Sequence, residues 1–358
     1  MSTLFFIGNG FDINCGMHTS YKDVYKGYVK EESNSEIIRR FKSDISSNID
    51  NWGDFEMSMA TYAARLANEA ELLECLRDFA RYMEMHLISE VNEIKAKLKD
   101  EKISEAVLKE MGNSLASFYY GISHNVDSIM ERREARMLKR IEVVSFNYTD
   151  IFDVIYSGYM RDNGINGKKV AHIHGLLQDD PVFGVDNIKQ VNTIYSLTRK
   201  GKRGFIKPIF NTEYDYQRVQ YVERLIEGAD TICVFGMSLG ESDLSWRLKI
   251  IEWLRKDANH HLFVYQYSLS EVKAKTVGEK LDVEDDAKEQ LMHEWAIEAT
   301  EEIYEQIHIP CGRNIFNIGN IIEVIELQNE KKKNAEIVKR IEQAKDFVEQ
   351  HADEIVIV

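Results

Sequence analysis

Short apolar runs that alternate with helix-like stretches dominate the pattern of this sequence. The runs are rich in β-branched and aromatic residues and mostly bounded by turn residues, which is typical of buried strands. They lie at residues 4–7, 141–146, 170–173, 182–185, 231–235 and 262–265. Several are followed by a loop and then a helical pattern, so the sequence predicts a parallel sheet with helices on both faces.

Between about residues 20 and 140 the pattern changes to long helical stretches that contain no proline. Apolar residues at spacings of three and four, such as Met59, Tyr62 and Leu66, predict one amphipathic helix over 55–91. The chain is therefore expected to carry a large helical insertion after its first strand.

These patterns together predict an α/β protein with a Rossmann-like parallel sheet and the large helical insertion. Residues 1–18 and 141–310 are assigned to a nucleotide-binding α/β core, and residues 19–140 to the insertion. Residues 311–358 are expected to form a C-terminal helix and a short strand at 354–358.

Composition narrows the class of protein. The chain has 358 residues, is 44% hydrophobic and has a formal net charge of −15, which is typical of a globular protein and argues against a broad nucleic-acid-binding face. No run approaches the roughly 18 apolar residues of a membrane helix, and the start lacks signal-peptide features, so no membrane partner and a cytoplasmic location are expected. The four cysteines are far apart and form no C-x-x-C motif, so neither a metal nor a disulfide framework is expected.

A glycine turn follows the first predicted strand directly. Gly8 and Gly10 let the backbone turn sharply and approach a ligand closely, and amides at such a turn suit a diphosphate. Gly8, Asn9, Gly10 and Asp12 are therefore candidate cofactor-binding residues. The segment is not a complete G-x-G-x-x-G fingerprint, and a tight strand-to-loop turn explains it equally well.

Polar residues also follow the second predicted strand, at the edge where open α/β sheets bind ligands. The amide of Asn147 can orient a ribose hydroxyl or an attacking water, so Asn147 is a candidate catalytic residue. An Asx turn followed by an N-cap at Thr149 is the structural alternative.

Two histidines end the third predicted strand. His172 and His174 are two residues apart, so they are expected to face one crevice. A metal-binding pair and a single catalytic imidazole are both possible interpretations. Because no third ligand stands at a recognisable spacing, we favour His174 as a catalytic imidazole without a metal.

Three other segments have both a functional and a structural interpretation. Gly236 and Ser238 follow the run at 231–235 and suit an adenosine or its ribose, although turn and cap chemistry explains them as well. Glu56 is a candidate site residue, although an acid near a helix N-terminus is favoured by the macrodipole alone. Residues 199–207 hold five positive charges and could steer an anion, but a solvated surface loop is the favoured interpretation.

Six motifs, taken in order, resemble the phage abortive-infection AbiH family over roughly residues 3–250. They lie at residues 8–12, 19–22, 52–56, 146–149, 172–175 and 235–239. Through that family the chain is also distantly similar to the sirtuin-like fold, in which a nicotinamide dinucleotide lies across the carboxyl ends of a parallel sheet. The resemblance implies an antiviral role and NAD as substrate or ligand.

The resemblance also implies roles for the glycine turns. Gly8, Gly10 and Asp12 match the first phosphate-binding turn of the sirtuin-like fold. Gly236 and Ser238 match a later Gly-x-Ser turn near the adenosine side.

On the nicotinamide side, Asn147 matches the strand-end asparagine beside the ribose, and His174 matches the imidazole of the His-Gly motif. The chain departs from sirtuin deacylases because it lacks paired zinc-binding cysteines and has Thr149 where an acid often follows that asparagine. Protein deacylation is therefore not expected.

Three functional hypotheses follow. The first is an antiphage effector that hydrolyses the nicotinamide–ribose bond of NAD or a related nucleotide, with Asn147 placing a water and His174 accepting a proton. The second is a nucleotide-binding sensor without catalysis, whose insertion contacts a second copy of the chain or a partner protein. The third is a metal-dependent nuclease using Asp12, Glu56 and the two histidines, against which the net charge of −15 weighs.

Overall fold

The computed structural model describes residues 2–120, 141–165, 169–178, 181–270, 273, 276–298 and 300–350. At its centre lies a six-stranded sheet in which all neighbouring strands run parallel. The strands are β1 Thr3–Ile7, β2 Ile141–Ser145, β3 Ala171–His172, β4 Thr231–Phe235, β5 His261–Tyr265 and β6 Ile307–His308. Their spatial order is β3-β2-β1-β4-β5-β6, the order of a Rossmann-like sheet. The predicted α/β class is confirmed.

Helices cover both faces of the sheet because its central strands are apolar on both sides. In β1, Phe5 and Ile7 belong to one apolar cluster, whereas Leu4 and Phe6 belong to another. Successive side chains of a strand point to opposite faces, so a strand without polar positions needs cover on each face.

The helices are, in chain order, α1 Gly10–Asn14, α2 Tyr21–Tyr28, α3 Glu36–Ser47, α4 Phe55–Tyr62, α5 Glu69–Lys97, α6 Glu101–Ser117, α7 Ile151–Asp162, α8 Arg199–Phe205, α9 Lys207–Tyr214, α10 Tyr216–Glu227, α11 Leu244–Leu254, α12 Tyr267–Ser270, α13 Val277–Glu294, α14 Glu301–Gln306 and α15 Ile318–Gln350. Short 3₁₀ helices lie at Ile49–Trp52, Ala63–Arg65, Ile188–Gln190 and Glu241–Asp243. Residues of α6, α7 and the start of α15 pack on one face of the sheet, and residues of α10, α11 and α13 pack on the other.

Helices α2 to α5 have an apolar core of their own. Phe55 and Phe79 stack with their ring centroids 3.8 Å apart, and both belong to this third cluster. The cluster also includes residues outside the predicted insertion, among them Tyr148 and Phe183. The helical block therefore packs against loops of the α/β core. The division into core, insertion and C-terminal segment stays a prediction, and residues 121–140 and the strand at 354–358 lie outside the described residues.

Two predictions of secondary structure were wrong. Residues 182–185 are not a strand of the sheet, because only Val185 makes an isolated bridge, to Ile206, and this run is buried in the third cluster instead. The single helix expected over 55–91 is divided between α4 and α5. It breaks where Leu66 is extended and the side chain of Asn68 caps α5 by accepting a hydrogen bond from the Glu71 amide.

The basic segment 199–207 is also different from the expected solvated loop. It forms α8 and the start of α9, which meet at Ile206. Phe205, Ile206 and Lys207 are buried, whereas Lys200 and Lys202 are exposed. Apolar residues therefore anchor this segment to the protein, and Lys207 is carried into the interior with them.

Candidate active site

The candidate site lies at the carboxyl ends of β1 and β4, where the strand order of the sheet reverses and open α/β sheets bind ligands. The loops after these two strands cross in close contact. The amide of Gly8 donates to the carbonyl of Phe235 at 2.9 Å, and that of Gly10 donates to Gly236 at 2.8 Å. A Cβ atom on Gly10 would lie 2.5 Å from the Gly236 Cα, so this crossing requires glycine.

The close crossing bears on the predicted phosphate-binding turn. Because the Gly8 and Gly10 amides already donate within the protein, they are not free donors for a diphosphate. The side chain of Asn9 is also occupied, since its Nδ2 donates to the Thr19 carbonyl and its Oδ1 accepts from the Thr19 hydroxyl at 2.6 Å. The cofactor-binding role of this turn stays a prediction.

The crossing loops form the floor of a cleft of about 280 Å³. The helical insertion contributes the opposite side through residues that include Tyr21 and Glu56. Among the predicted site residues, those that line the cleft are Gly8, Asn9, Asp12, Asn147, His174, Gly236 and Ser238. Gly10 and His172 are not part of its lining.

One side of the cleft is built around a buried aspartate. Asp12, on α1, accepts a hydrogen bond from Asn147 Nδ2 at 3.0 Å and another from the Thr149 hydroxyl at 2.7 Å. Burial raises the pKa of Asp12 to about 7, although the two hydrogen bonds oppose this rise. The amide oxygen of Asn147 is buried and has no hydrogen-bond partner within the described ranges. These residues therefore leave the hydrogen-bonding capacity of this oxygen unused.

The other side of the cleft contains a histidine–aspartate pair. His174 Nε2 lies 2.9 Å from Asp243 Oδ1, whereas His174 Nδ1 is buried and has no partner in the part of the chain that the structure describes. Burial, together with the charge of nearby Lys207, lowers the pKa of His174. The imidazole is thus neutral at pH 7, with its Nε2–H donating to Asp243 and a lone pair on Nδ1.

A buried lysine connects this pair to the helical insertion. Lys207 Nζ lies 3.0 Å from Asp243 Oδ1 and 2.7 Å from Glu56 Oε2. Burial lowers the pKa of Lys207, but the two carboxylates outweigh it and hold the pKa above its usual range. Burial likewise raises the pKa of Asp243, but Lys207 and His174 outweigh it and hold the pKa well below its usual range. Lys207 therefore stays charged and keeps Asp243 ionised.

A family model described as bacteriophage abortive infection AbiH matches residues 4–265, which is most of the chain and includes every residue of the cleft. The chain belongs to the AbiH family. It is accordingly a protein of phage abortive-infection defence. No curated protein and no solved structure matches the chain.

The two histidines of this AbiH chain have different surroundings. His172 Nε2 lies 2.8 Å from Asp153 on α7, and its Nδ1 lies 3.3 Å from the Asn147 carbonyl. His174 follows the end of β3 and lies in the cleft. The prediction that both face one crevice was wrong, because β3 ends at His172 and its alternation does not extend to His174.

Two charged residues of the AbiH cleft, Lys207 and Asp243, were not predicted as site residues. A third residue, Thr149, was predicted in a different role. Lys207 was assigned to a solvated loop, although its position between Ile206 and Pro208, next to buried Phe205, was a signal that it differed from the other cations. Asp243 was not named among the candidate site residues. Thr149 was considered as an N-cap, but the N-cap of α7 is Asp150 and the Thr149 hydroxyl donates to Asp12.

Metal ions and membranes are two further classes of partner for this AbiH protein. Within the described residues, no group of three or more His, Cys, Asp or Glu side chains is arranged to hold a metal ion. The site that the nuclease hypothesis required, with Asp12, Glu56 and both histidines around one ion, is therefore not present in that part of the chain. In the same residues, no helix has both the length and the apolar character needed to cross a membrane.

Replacing Asp12 with asparagine is expected to remove a pH-dependent part of the stability. An aspartate with a folded pKa of about 7 and an unfolded pKa near 4 takes up a proton on folding, so its stabilising contribution is present below about pH 4 and is lost as the pH rises through 7. Relative to Asp12→Asn, the natural protein should lose about 1.4 kcal/mol per pH unit between about pH 5 and 7. Urea unfolding of both proteins across this range measures the difference, and a constant difference would contradict the raised pKa.

Proposed function

We propose that this AbiH protein hydrolyses the nicotinamide–ribose bond of NAD or of a related nucleotide. The observation that supports this proposal is the pairing of His174 with Asp243, which leaves the buried Nδ1 of His174 without a partner in the described residues. The amide oxygen of Asn147, another unpartnered acceptor, lines the same cleft. Two unpartnered acceptors that line one cleft suit a water that must lose a proton as it attacks.

The proposed reaction uses these acceptors in one displacement. The Asn147 oxygen accepts a hydrogen bond from the water or a ribose hydroxyl and so holds the reacting groups in place. The water oxygen forms a bond to the ribose carbon as the carbon–nitrogen bond breaks, and that electron pair leaves with nicotinamide. The proton of the water passes to His174 Nδ1, and Asp243 stabilises the imidazolium that results.

The charge of the cleft supports a substrate that is cationic at the reacting end. Asp12, Asp54, Glu56 and Asp243 line the cleft, and Lys207 is the only lysine or arginine among its described lining residues. Cleavage of a glycosidic bond builds positive charge on the ribose, and nearby carboxylates stabilise such charge. Burial raises the pKa of Asp12 and the pKa of Glu56 to about 7, so these two groups are only partly ionised at pH 7. Asp243 is ionised, and the acids of the cleft still outnumber its single lysine, so we place the nicotinamide riboside end in the cleft and the diphosphate outside it.

The size of the cleft leads to the same orientation. Its volume of about 280 Å³ lies just below the range of about 300–1,000 Å³ in which sites enclose a drug-sized ligand. A nicotinamide and its ribose are a better match to this volume than a complete dinucleotide. In this proposal the diphosphate and adenosine extend outward past Gly236 and Ser238.

Incubation of the purified protein with NAD tests the proposal. We expect equal amounts of free nicotinamide and ADP-ribose, measured by chromatography, and the same products in bacteria that express the protein during phage infection. The infected cells supply any activator that the purified protein lacks. NAD that stays intact in both experiments would contradict hydrolysis, and a rise in thermal stability with unchanged NAD would favour the sensor hypothesis instead.

A further inference from the structure

A second cavity lies apart from the cleft and shares no lining residue with it. It is a groove of about 500 Å³ between α5 on one side and helices α8 and α9 on the other, and we call it the α5–α8 groove. Its polar and aromatic lining includes Arg77, Arg81, Lys200, Arg203, Phe210 and Tyr214. Two of the five cations of the basic segment, Lys200 and Arg203, thus line this groove and not the cleft.

The α5–α8 groove is basic in a chain whose formal net charge is −15. Arg77 and Lys200 form no ion pair with any residue that the structure describes, and the Arg77 Nε donates only to the Leu73 carbonyl. Arg203 lies 3.8 Å from Glu213, which is a loose ion pair at a half-exposed site. Arg81 is paired with Glu31 at 2.6 Å, so Arg77 and Lys200 carry the unpaired positive charge of the described lining. Glu84 is the only acid among the described lining residues. An anion that enters the groove would therefore meet positive charge on both sides.

An aromatic surface lies beside these cations. The rings of Phe210 and Tyr214, one turn apart on α9, stack with centroids 4.4 Å apart and planes inclined by 11°. Tyr214 is 61% exposed, so part of its ring is accessible to a ligand. The Arg203 guanidinium carbon lies 6.0 Å from the Tyr214 ring centroid, which places a planar cation next to the same ring.

We propose that the α5–α8 groove binds a nucleotide that carries two or more phosphates. The base stacks on Tyr214, since every base offers a π-face that an aromatic side chain accepts. The phosphate chain lies between Arg77 of α5 and Lys200 of α8, where paired N–H donors and a point charge both bind phosphate well. The volume of about 500 Å³ is within the range of small-molecule sites.

The position of the groove also connects it to the cleft. Lys207 is the first residue of α9. Lys200 and Arg203 lie before it on α8, and Phe210 and Tyr214 lie after it on α9. The backbone amide of Lys207 donates to the Val185 carbonyl at 2.9 Å, which holds the junction of the two helices. A nucleotide in the groove would thus contact the helices that position the buried ammonium group of Lys207.

Calorimetric titration of the full chain with ATP, without added metal, tests this site. We expect Arg77→Glu/Lys200→Glu to weaken ATP binding at least tenfold, because both cations become repulsive. Lys331→Glu/Lys332→Glu, on the exposed part of α15, changes the net charge equally and should leave the affinity unchanged. Tyr214→Ala should weaken binding severalfold, whereas Tyr214→Phe, which keeps the ring, should bind as the natural protein does.

Two further ligands make the test specific. Adenosine lacks phosphates and inorganic tripolyphosphate lacks a base, so each should bind more weakly than ATP. Arg77, Lys200 and Tyr214 line the groove and not the cleft, so the loss expected in their variants separates the two sites and does not depend on the proposed hydrolysis. The proposal is overturned if the charge-reversal variants of the groove and of α15 bind ATP equally, if tripolyphosphate binds as tightly as ATP, or if the natural protein binds no ATP.

Discussion

Replacing His174 with alanine is expected to lower kcat for NAD cleavage by about 100- to 10,000-fold, the usual contribution of a general base. The reason is that Nδ1 of His174 is the buried acceptor that the proposed reaction uses, while its Nε2 is held 2.9 Å from Asp243. KM for NAD should change much less, because the proton transfer belongs to the transition state. Steady-state release of nicotinamide measures both constants.

His172→Ala is the matched control, since this histidine pairs with Asp153 and does not line the cleft. We expect less than about a tenfold loss in that variant. Asp243→Asn should lower kcat by an amount closer to that of His174→Ala, because the tautomer of the imidazole is no longer held. If folded His174→Ala retains the kcat of the natural protein, His174 is not the base.

Replacing Lys207 with methionine is expected to destabilise the fold by about 3–5 kcal/mol, the usual effect of removing one partner of a buried ion pair. The Lys207 side chain is 4% exposed and lies within 3.0 Å of carboxylate oxygens of Asp243 and Glu56. Methionine has a similar length but leaves both carboxylates buried without their cation. Urea unfolding at pH 7 should show a lower midpoint with an unchanged slope.

Lys202→Met is the control for this prediction, because Lys202 lies on the same segment but is exposed. It should change the free energy of unfolding by no more than about 0.5 kcal/mol. The double variant Lys207→Met/Glu56→Gln should recover part of the loss, since one uncompensated carboxylate has been removed. Equal stability of Lys207→Met and Lys202→Met would contradict the role of Lys207 in holding the carboxylates.

Part of the site could be predicted because its residues follow apolar runs directly. Three site residues come within five residues of the end of a predicted strand: Asn147, His174 and Asp12. The carboxyl ends of parallel strands meet at one edge of the sheet, so these residues were expected to lie close together. Glu56 was recognised with less support, because an acid near a helix N-terminus has a sufficient local explanation. For residues such as Asn147 and Glu56, the sequence alone did not distinguish a local capping role from a role in a site formed with distant residues.

Sequence by itself determined the features that depend on short-range pattern. The all-apolar run at 4–7 required a strand covered on both faces, and Gly8 and Gly10 required a backbone that turns or is closely approached. The same local pattern also predicted a strand at 182–185, which was wrong. A short apolar run is found both in buried strands and in loops buried under helices, and the pattern alone does not distinguish them.

Only the tertiary structure decided which charged groups meet. Lys207 contacts Glu56 across 151 positions and Asp243 across 36, and neither separation leaves a periodic signal in the chain. The structure also showed that the Gly8 and Gly10 amides donate to the loop after β4 and that Thr149 donates to Asp12. Hydrophobic periodicity acts over a few residues, whereas the protonation and hydrogen bonding of a buried site depend on groups that the fold alone brings together.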